Sequence, residues 1–353
     1  MSFIFDKIKE SFHNKMPFVC YCKPNSEKII AFFQKNDELF ELKNNERGFA
    51  FVSFDHEKRY IIPEKFSDIY FENSSILDYI IEDNIKSDYK LKDKIEFEKL
   101  VENGIKAIKN GSLEKVVLSR KESIEIEDID LELVYRKLLF KYETAFKYCF
   151  YHPKIGLWVG ASPEQFMKIE DTLIKTVALA GTQSSTDHKK VIWENKEIEE
   201  QKIVADFIIN NLKTISNRVT FSKPYNEKAG NLIHIKTDIQ AEIIERESLS
   251  KIIELLHPTP AVCGFPKDAA KQFILKNEEY DREFYTGYLG EWNKDFKTFK
   301  ENYSDLFVNI RCMKIENKQV TIFVGCGITK ESNPESEFFE TLNKLQTMKK
   351  AIQ

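Results

Sequence analysis

Apolar positions along this chain recur in two rhythms. Gly48-Phe49-Ala50-Phe51-Val52-Ser53-Phe54 alternates with period two, as a strand does, and follows the short apolar run Lys28-Ile29-Ile30-Ala31-Phe32-Phe33. From Asp93 the period lengthens. Phe97, Val101, Ile105 and Ile108 recur near every fourth position and predict an amphipathic helix that stops at Asn110-Gly111. Strands are predicted over Lys115–Arg120 and Ile155–Val159, the second ending in Gly160-Ala161-Ser162-Pro163-Glu164. A hairpin joins Phe166–Ile169 to Leu173–Leu179, and a long helix runs from about Lys190 to Lys213. Leu306–Arg311 and Val320–Val324 read as strands. After Gly325 and Gly327, Asn333 and Pro334 predict the N-cap and first residue of a last helix.

No repeat, low-complexity tract or linker interrupts this alternation, which argues against loosely tethered domains. The 353 residues suffice for one large domain or two ordinary ones, and 42% apolar content predicts a sizeable core. A net charge of −4 gives no electrostatic case for nucleic acid. No apolar run approaches the ~20 residues that span a bilayer, and the first residues do not form a secretion signal. Cys20 and Cys22 are two apart, but no second close pair completes a zinc pattern. Reduced thiols in the cytoplasm are expected. His13, His56 and Cys20 stand alone and are expected to be structural.

Several positions break the apolar pattern in ways that suggest chemistry. Lys115 opens a strand, and alternation puts it on one face with Val117 and Ser119. It is either exposed at the strand start or aimed into a pocket, where burial would favour a neutral amine. Glu164 ends a strand, where it is either a solvated turn carboxylate or a half-buried general acid. Glu200 lies within the stripe of Ile203, Val204, Phe207, Ile208 and Leu212, with Glu197 near its edge. An inward carboxylate needs a partner, and a divalent cation would serve. Arg311, on its predicted strand, suits a substrate carboxylate as a bidentate partner. Glu337, Glu340 and Lys344 share a helix face, with Phe338, Leu342 and Leu345 turned inward. Gly325 and Gly327 allow close backbone approach. Two prolines, a histidine and a glycine fix the loop His257–Gly264. Phosphate-loop, zinc-helix, nucleophile-elbow and dinucleotide motifs are absent.

Together these segments resemble the chorismate-utilising enzymes, and most closely isochorismate synthase. The matching blocks are KVVLSR at Lys115–Arg120, GASPE at Gly160–Glu164, ALAGT at Ala178–Thr182 and NKEIEEQKIV at Asn195–Val204. They continue with HIKTDI at His234–Ile239, HPTPAVCGFP at His257–Pro266 and REFYTGYLG at Arg282–Gly290. VNIRC at Val308–Cys312 and GCGITKESNPESEFFETLNK at Gly325–Lys344 complete the series, in family order. The resemblance implies an α/β (α+β) fold, one chorismate-binding domain of two stacked, largely antiparallel sheets flanked by helices. Residues 93–353 would form the catalytic core and residues 1–92 a variable N-terminal part of the same domain.

By the same resemblance, Glu200 and Glu340 match magnesium-binding carboxylates, and Glu337 would hold a magnesium-bound water. Arg311 and Lys344, with backbone at Gly181, Thr182 and Gly327, match anchors for the substrate's anionic groups, and Tyr285 and Ala261 line the site. Lys115 matches the base that activates water in isochorismate and salicylate synthases; aminating relatives lack it. Glu164 matches the acid that protonates the hydroxyl leaving C4. The chain departs from the pattern at Gln201, where a histidine is common, and at Ala241, Cys326 and Phe338. None of these removes a proposed catalytic group. The implied function is a magnesium-dependent isochorismate synthase, an isomerase acting as a cytoplasmic monomer upstream of menaquinone or catechol siderophore synthesis. A salicylate synthase is the alternative within the family, and apolar Ala261-Val262 argues against it. A chorismate-binding protein without catalysis is the alternative of another class; the joint presence of Lys115, Glu164, Glu200 and Glu340 argues against that.

Overall fold

Two antiparallel sheets lie face to face in the computed structural model, which describes residues 3–74, 89–184, 191–229, 232–243 and 249–353. The side chains of Thr182, Ser184, Ala229 and Leu232 are outside that description. The first sheet runs in the order β15 (Gly264–Phe265), β7 (Lys115–Glu125), β19 (Gln319–Ile328), β18 (Cys312–Glu316), β9 (Gly156–Ser162), β8 (Phe146–His152), β1 (Phe18–Cys22), β2 (Lys28–Gln34) and β6 (Ser67–Asn73). The second runs β12 (Ser216–Phe221), β14 (Leu232–Ile243), β11 (Leu173–Ser184), β10 (Gln165–Glu170), β17 (Tyr303–Val308), β16 (Tyr288–Trp292), β4 (Gly48–Val52), β5 (Arg59–Pro63) and β3 (Phe40–Glu41). A further strand, β13 (Tyr225–Ala229), also pairs with β14. Strands β1, β2 and β6 thus belong to the first sheet and β3, β4 and β5 to the second.

Period-two alternation sorts the side chains into layers. In β8, Phe146, Tyr148 and Phe150 face the other sheet, while Cys149 and Tyr151 face the helices. The layer between the sheets is largely aromatic; Phe51, for example, stacks on Phe150 and Phe284 at centroid distances of 4.3 and 4.2 Å. Outside the first sheet pack α1 (Phe3–His13), α2 (Leu91–Lys109), α3 (Leu131–Lys141), α6 (Lys267–Asn277) and α7 (Pro334–Ile352). Outside the second pack α4 (Asn195–Lys213) and α5 (Leu249–Leu256). With both faces of each sheet covered, every residue of β4 is buried, although its sequence alternates.

Two predicted helix ends hold. Gly111, at φ 77°, follows α2, and the Asn333 side chain accepts a hydrogen bond from the Ser336 N–H at 3.0 Å at the start of α7. Three predictions shift. Helix α4 begins at Asn195, and residues 191–194 are not helical; Lys190 is outside the described residues. The strand at Val320 does not stop before the glycines: β19 continues to Ile328, paired with β7. Arg311 is not on a strand. β17 ends at Val308, and Arg311 sits in the following turn with φ 51°, a left-handed conformation uncommon outside glycine. All six cysteines are buried and unbridged.

Candidate active site

Two crossings between the sheets bring functional side chains together. Pro163 and Glu164 link β9 of the first sheet to β10 of the second, and residues 309–311 carry the chain back from β17 to β18. The crossings are joined directly. The Ala161 N–H donates to the Arg311 carbonyl at 3.0 Å, the Val308 N–H to the Glu164 carbonyl at 3.0 Å, and the Ser162 hydroxyl to the Val308 carbonyl at 2.6 Å. Glu164 and Arg311 therefore line one cleft, at the end of the layer between the sheets where β7, β19, α4 and α7 also meet.

Lys115 is fully buried, on the inward face of β7 with Val117, while Val116 and Leu118 pack towards the helices. Its Nζ lies 2.9 Å from Glu200 Oε1, contributed by α4. Gly327 makes room for this pair. A Cβ at that position would sit 2.3 Å from Glu200 Oε1 and 3.1 Å from Lys115 Cε. Gly325, two residues earlier on the same face, leaves space for the Tyr285 hydroxyl, which a Cβ would approach to 3.1 Å.

Two more lysine–carboxylate pairs border the cleft. Lys344 Nζ lies 2.7 Å from Glu340 Oε1 and donates to the Gly325 carbonyl at 3.0 Å. Lys196 Nζ lies 2.5 Å from Glu337 Oε1, while Glu337 Oε2 is buried without a hydrogen-bond partner. Arg311 reaches towards α7 and donates to Thr347 Oγ1 at 2.9 Å and to the Lys344 carbonyl at 3.3 Å. Opposite them, β11 carries a bulge between Ala180 and Thr182, where Gly181 has φ 72°. His234 Nδ1 lies 3.0 Å from the Gly181 carbonyl and so carries the hydrogen.

Burial and charge set these groups apart. Burial pushes the Glu164 carboxyl up to about 7, against the pull of Lys115 and Lys344. Burial acts on Glu200 in the same direction, but Lys115, Lys196 and Lys344 together outweigh it and hold that carboxyl below the usual range. Glu337 is raised, chiefly by burial. Burial lowers His234 to about 4, so its ring is neutral near neutral pH. The cleft thus offers a carboxyl at Glu164 that retains its proton close to pH 7, a buried lysine at position 115, and an ionised carboxylate at Glu200.

Glu200 and Glu340 line the cleft and Glu337 lies near Glu340, and their oxygens are donors of the kind a hard divalent cation takes. Among the described residues no cluster of three or more ligating side chains stands ready-made.

Of the residues singled out from the sequence, Glu164, Gly181, Glu200, Ala261, Tyr285, Arg311, Gly327, Glu340 and Lys344 all line this cleft, and Lys115 is bonded into it through Glu200. Glu337 joins through Lys196. The Thr182 backbone lies in β11, and its side chain is outside the described residues. Gln201, the departure next to Glu200, turns the other way: it donates to Thr237 Oγ1 at 2.8 Å and packs against the second sheet. Sequence reasoning missed Lys196 and His234. Lys196 precedes Glu200 by four residues, so the helix period could have found it. His234 opens the matched HIKTDI block but carries no other local signal.

A family model described as chorismate binding enzyme matches residues 56–353. Isochorismate synthase DhbC of Bacillus subtilis is 29% identical over 270 residues, which cover 71% of this chain and 66% of that protein. Isochorismate synthase EntC of Escherichia coli K12 is 29% identical over 262 residues, again 71% of this chain and 66% of the relative. The crystal structure of a putative 2,3-dihydroxybenzoate-specific isochorismate synthase, DhbC from Bacillus anthracis, superposes with a TM-score of 0.79 at 23% identity, covering 98% of this chain and 99% of that one. At that identity the superposition establishes the shared fold.

Proposed function

The chain belongs to the family of chorismate binding enzymes, and from that premise we propose that it is an isochorismate synthase, an isomerase that relocates a hydroxyl on the chorismate ring. One observation carries the reading. A wholly buried Lys115, paired with the cleft residue Glu200, lies close enough to Glu164 to act on its carboxyl, which retains its proton up to about pH 7. Such a base–acid pair is what the exchange of one hydroxyl for another requires.

In this reading Lys115 takes a proton from water as the new C–O bond forms at C2. The ring double bonds shift and the C4–O bond breaks. Glu164 gives its proton to the departing hydroxyl. One water enters and one leaves, so the product is an isomer of the substrate. Arg311, Lys344 and the backbone at Gly181, Thr182 and Gly327 hold the anionic groups, while Tyr285 and Ala261 shape the wall. Magnesium bound by Glu200 and Glu340, with Glu337 beside them, would neutralise and orient the ring carboxylate. A cytoplasmic monomer is the working form, and sedimentation of the purified chain would test the monomer.

Incubation with chorismate and magnesium, followed by product analysis, tests the reading. Isochorismate is expected. Salicylate and pyruvate as main products would replace it with a salicylate synthase. Tight chorismate binding without turnover would leave a binding protein.

A further inference from the structure

Strand β7 runs out of neighbours on one side just beyond Lys115. Its edge partner β15 covers only Lys115 and Val116, and one more backbone bond joins the Val117 N–H to the Cys263 carbonyl at 2.8 Å. Beyond that, the Val117 carbonyl and the Ser119 N–H face an edge with no strand among the described residues. Both are taken up by side chains. Arg282 Nη2 donates to the Val117 carbonyl at 2.7 Å, and Glu278 Oε1 accepts from the Ser119 N–H at 2.7 Å and from its hydroxyl at 2.9 Å.

Arg282 and Glu278 are themselves a buried pair, with side-chain exposures of 2% and 1%. Arg282 Nε meets Glu278 Oε2 at 2.7 Å, and Nη2 meets Oε1 at 2.5 Å. The remaining nitrogen, Nη1, donates to the Val262 carbonyl at 3.1 Å and to Thr286 Oγ1 at 3.2 Å. All five guanidinium hydrogens are accounted for. The ring of Phe54 lies 4.6 Å from the guanidinium carbon. One side chain thus joins three segments of the cleft wall: β7 beside Lys115, the loop of Ala261 and Val262, and the turn of Tyr285 and Thr286.

We propose that Arg282 and Glu278 are positioning residues for turnover. They replace the missing edge strand and hold Lys115 in register with the facing wall. This rests on the isochorismate synthase reading for its kinetic consequence, but not for its structural one. The test uses R282K and the double variant E278M/R282M. Lysine keeps the charge but cannot span Glu278, Val117 and Val262 together. The double variant removes both charges at once, which commonly preserves the fold. In both, kcat is expected to fall on the order of 100-fold, as a small misplacement of a catalytic group does, with KM for chorismate within about threefold. Amide exchange of peptides covering residues 115–119 and 259–263 should rise, while peptides in β8 and β9 stay protected. Near-normal kcat in a folded variant, or unchanged exchange at 115–119, would overturn the proposal. Exchange is read without substrate, so failure of the isochorismate reading and failure of the positioning role are told apart.

Discussion

The layer between the sheets holds two clusters of buried charge, and only one is built as a site. The first surrounds Lys23, whose Nζ lies 2.5 Å from Glu291, 3.0 Å from Asp295 and 3.7 Å from Asp305. Its carboxylates are engaged from within, apart from Glu291 Oε2, which is buried with no hydrogen-bond partner beyond its ion pair with Lys23. Tyr21 and the Phe296 N–H donate to Glu291, Gln165 donates to Asp305, and Thr298 and the Lys297 N–H donate to Asp295. The cleft uses the same residue types differently. Glu200, Glu337 and Glu340 each have their own lysine, and a missing Cβ at Gly327 leaves the Glu200 carboxylate its space. Burial of charge is common to both. So is a carboxylate oxygen without a hydrogen-bond partner, Glu291 Oε2 in one and Glu337 Oε2 in the other; separate lysines and the room at Gly327 belong to the cleft.

Exchanging the two lysines for methionine separates the clusters most strongly. Lys115→Met is expected to lower turnover at least ~100-fold, the scale of a lost general base, while magnesium and chorismate binding stay within a few-fold. Lys23→Met should leave turnover of the folded enzyme near normal but cost about 3–5 kcal/mol of stability, because buried carboxylates lose their counter-ion. Steady-state kinetics and denaturant unfolding on both variants give the result. Normal turnover without Lys115 would remove the base; lost turnover in folded Lys23→Met would erase the distinction.

The sequence made one half of this contrast visible. Glu200 announced itself because a helix period makes an inward carboxylate conspicuous, and Asn333-Pro334 marked the helix that carries Glu340 and Lys344. The two stacked sheets came from the resemblance, since alternation reports which face a strand buries but not against what. Strand β7 pairs with β19, some 200 residues away, and no local pattern encodes that. The Lys23 cluster is assembled from β1, β16 and β17 and the segments that follow β1 and β16, so each member looks like an ordinary surface charge in isolation. Arg311 failed as a strand residue for a related reason: the chain leaves one sheet for the other there, and apolar Val308 and Ile310 on either side of Asn309 mimic a strand.

The pH dependence of stability sharpens the comparison at a smaller scale. Burial raises Glu164 and Glu291 alike, each from 4.5 to about 7. A carboxyl that titrates higher in the folded chain adds stability below its unfolded value and loses it as pH rises through its folded value. Each therefore contributes an effect on the order of 3 kcal/mol that fades between about pH 4.5 and pH 7. Glu291→Gln and Glu164→Gln should each flatten the stability–pH curve in that window relative to wild type. Only Glu164→Gln should also abolish turnover. A wild-type slope in both variants would mean that neither carboxyl is held protonated by burial.

The smallest expected effect is the most local. Gly327→Ala places a methyl group 2.3 Å from Glu200 Oε1, well inside contact distance. The backbone cannot retreat, because Gly327 is paired with Val117 while Cys326 and Ile328 on either side are packed among the helices. The carboxylate must yield, and Lys115 moves with it. Magnesium affinity, read from the metal dependence of chorismate turnover, should fall roughly 10-fold, as for a displaced ligand-orienting group, with little change in unfolding. Gln165→Ala in the other cluster removes one hydrogen bond to Asp305 and should cost about 1 kcal/mol of stability without touching the metal dependence. If Gly327→Ala keeps the wild-type metal dependence, the room at that position does not serve the carboxylate. The difference between the two clusters would then have to rest on how the lysines are shared among the carboxylates.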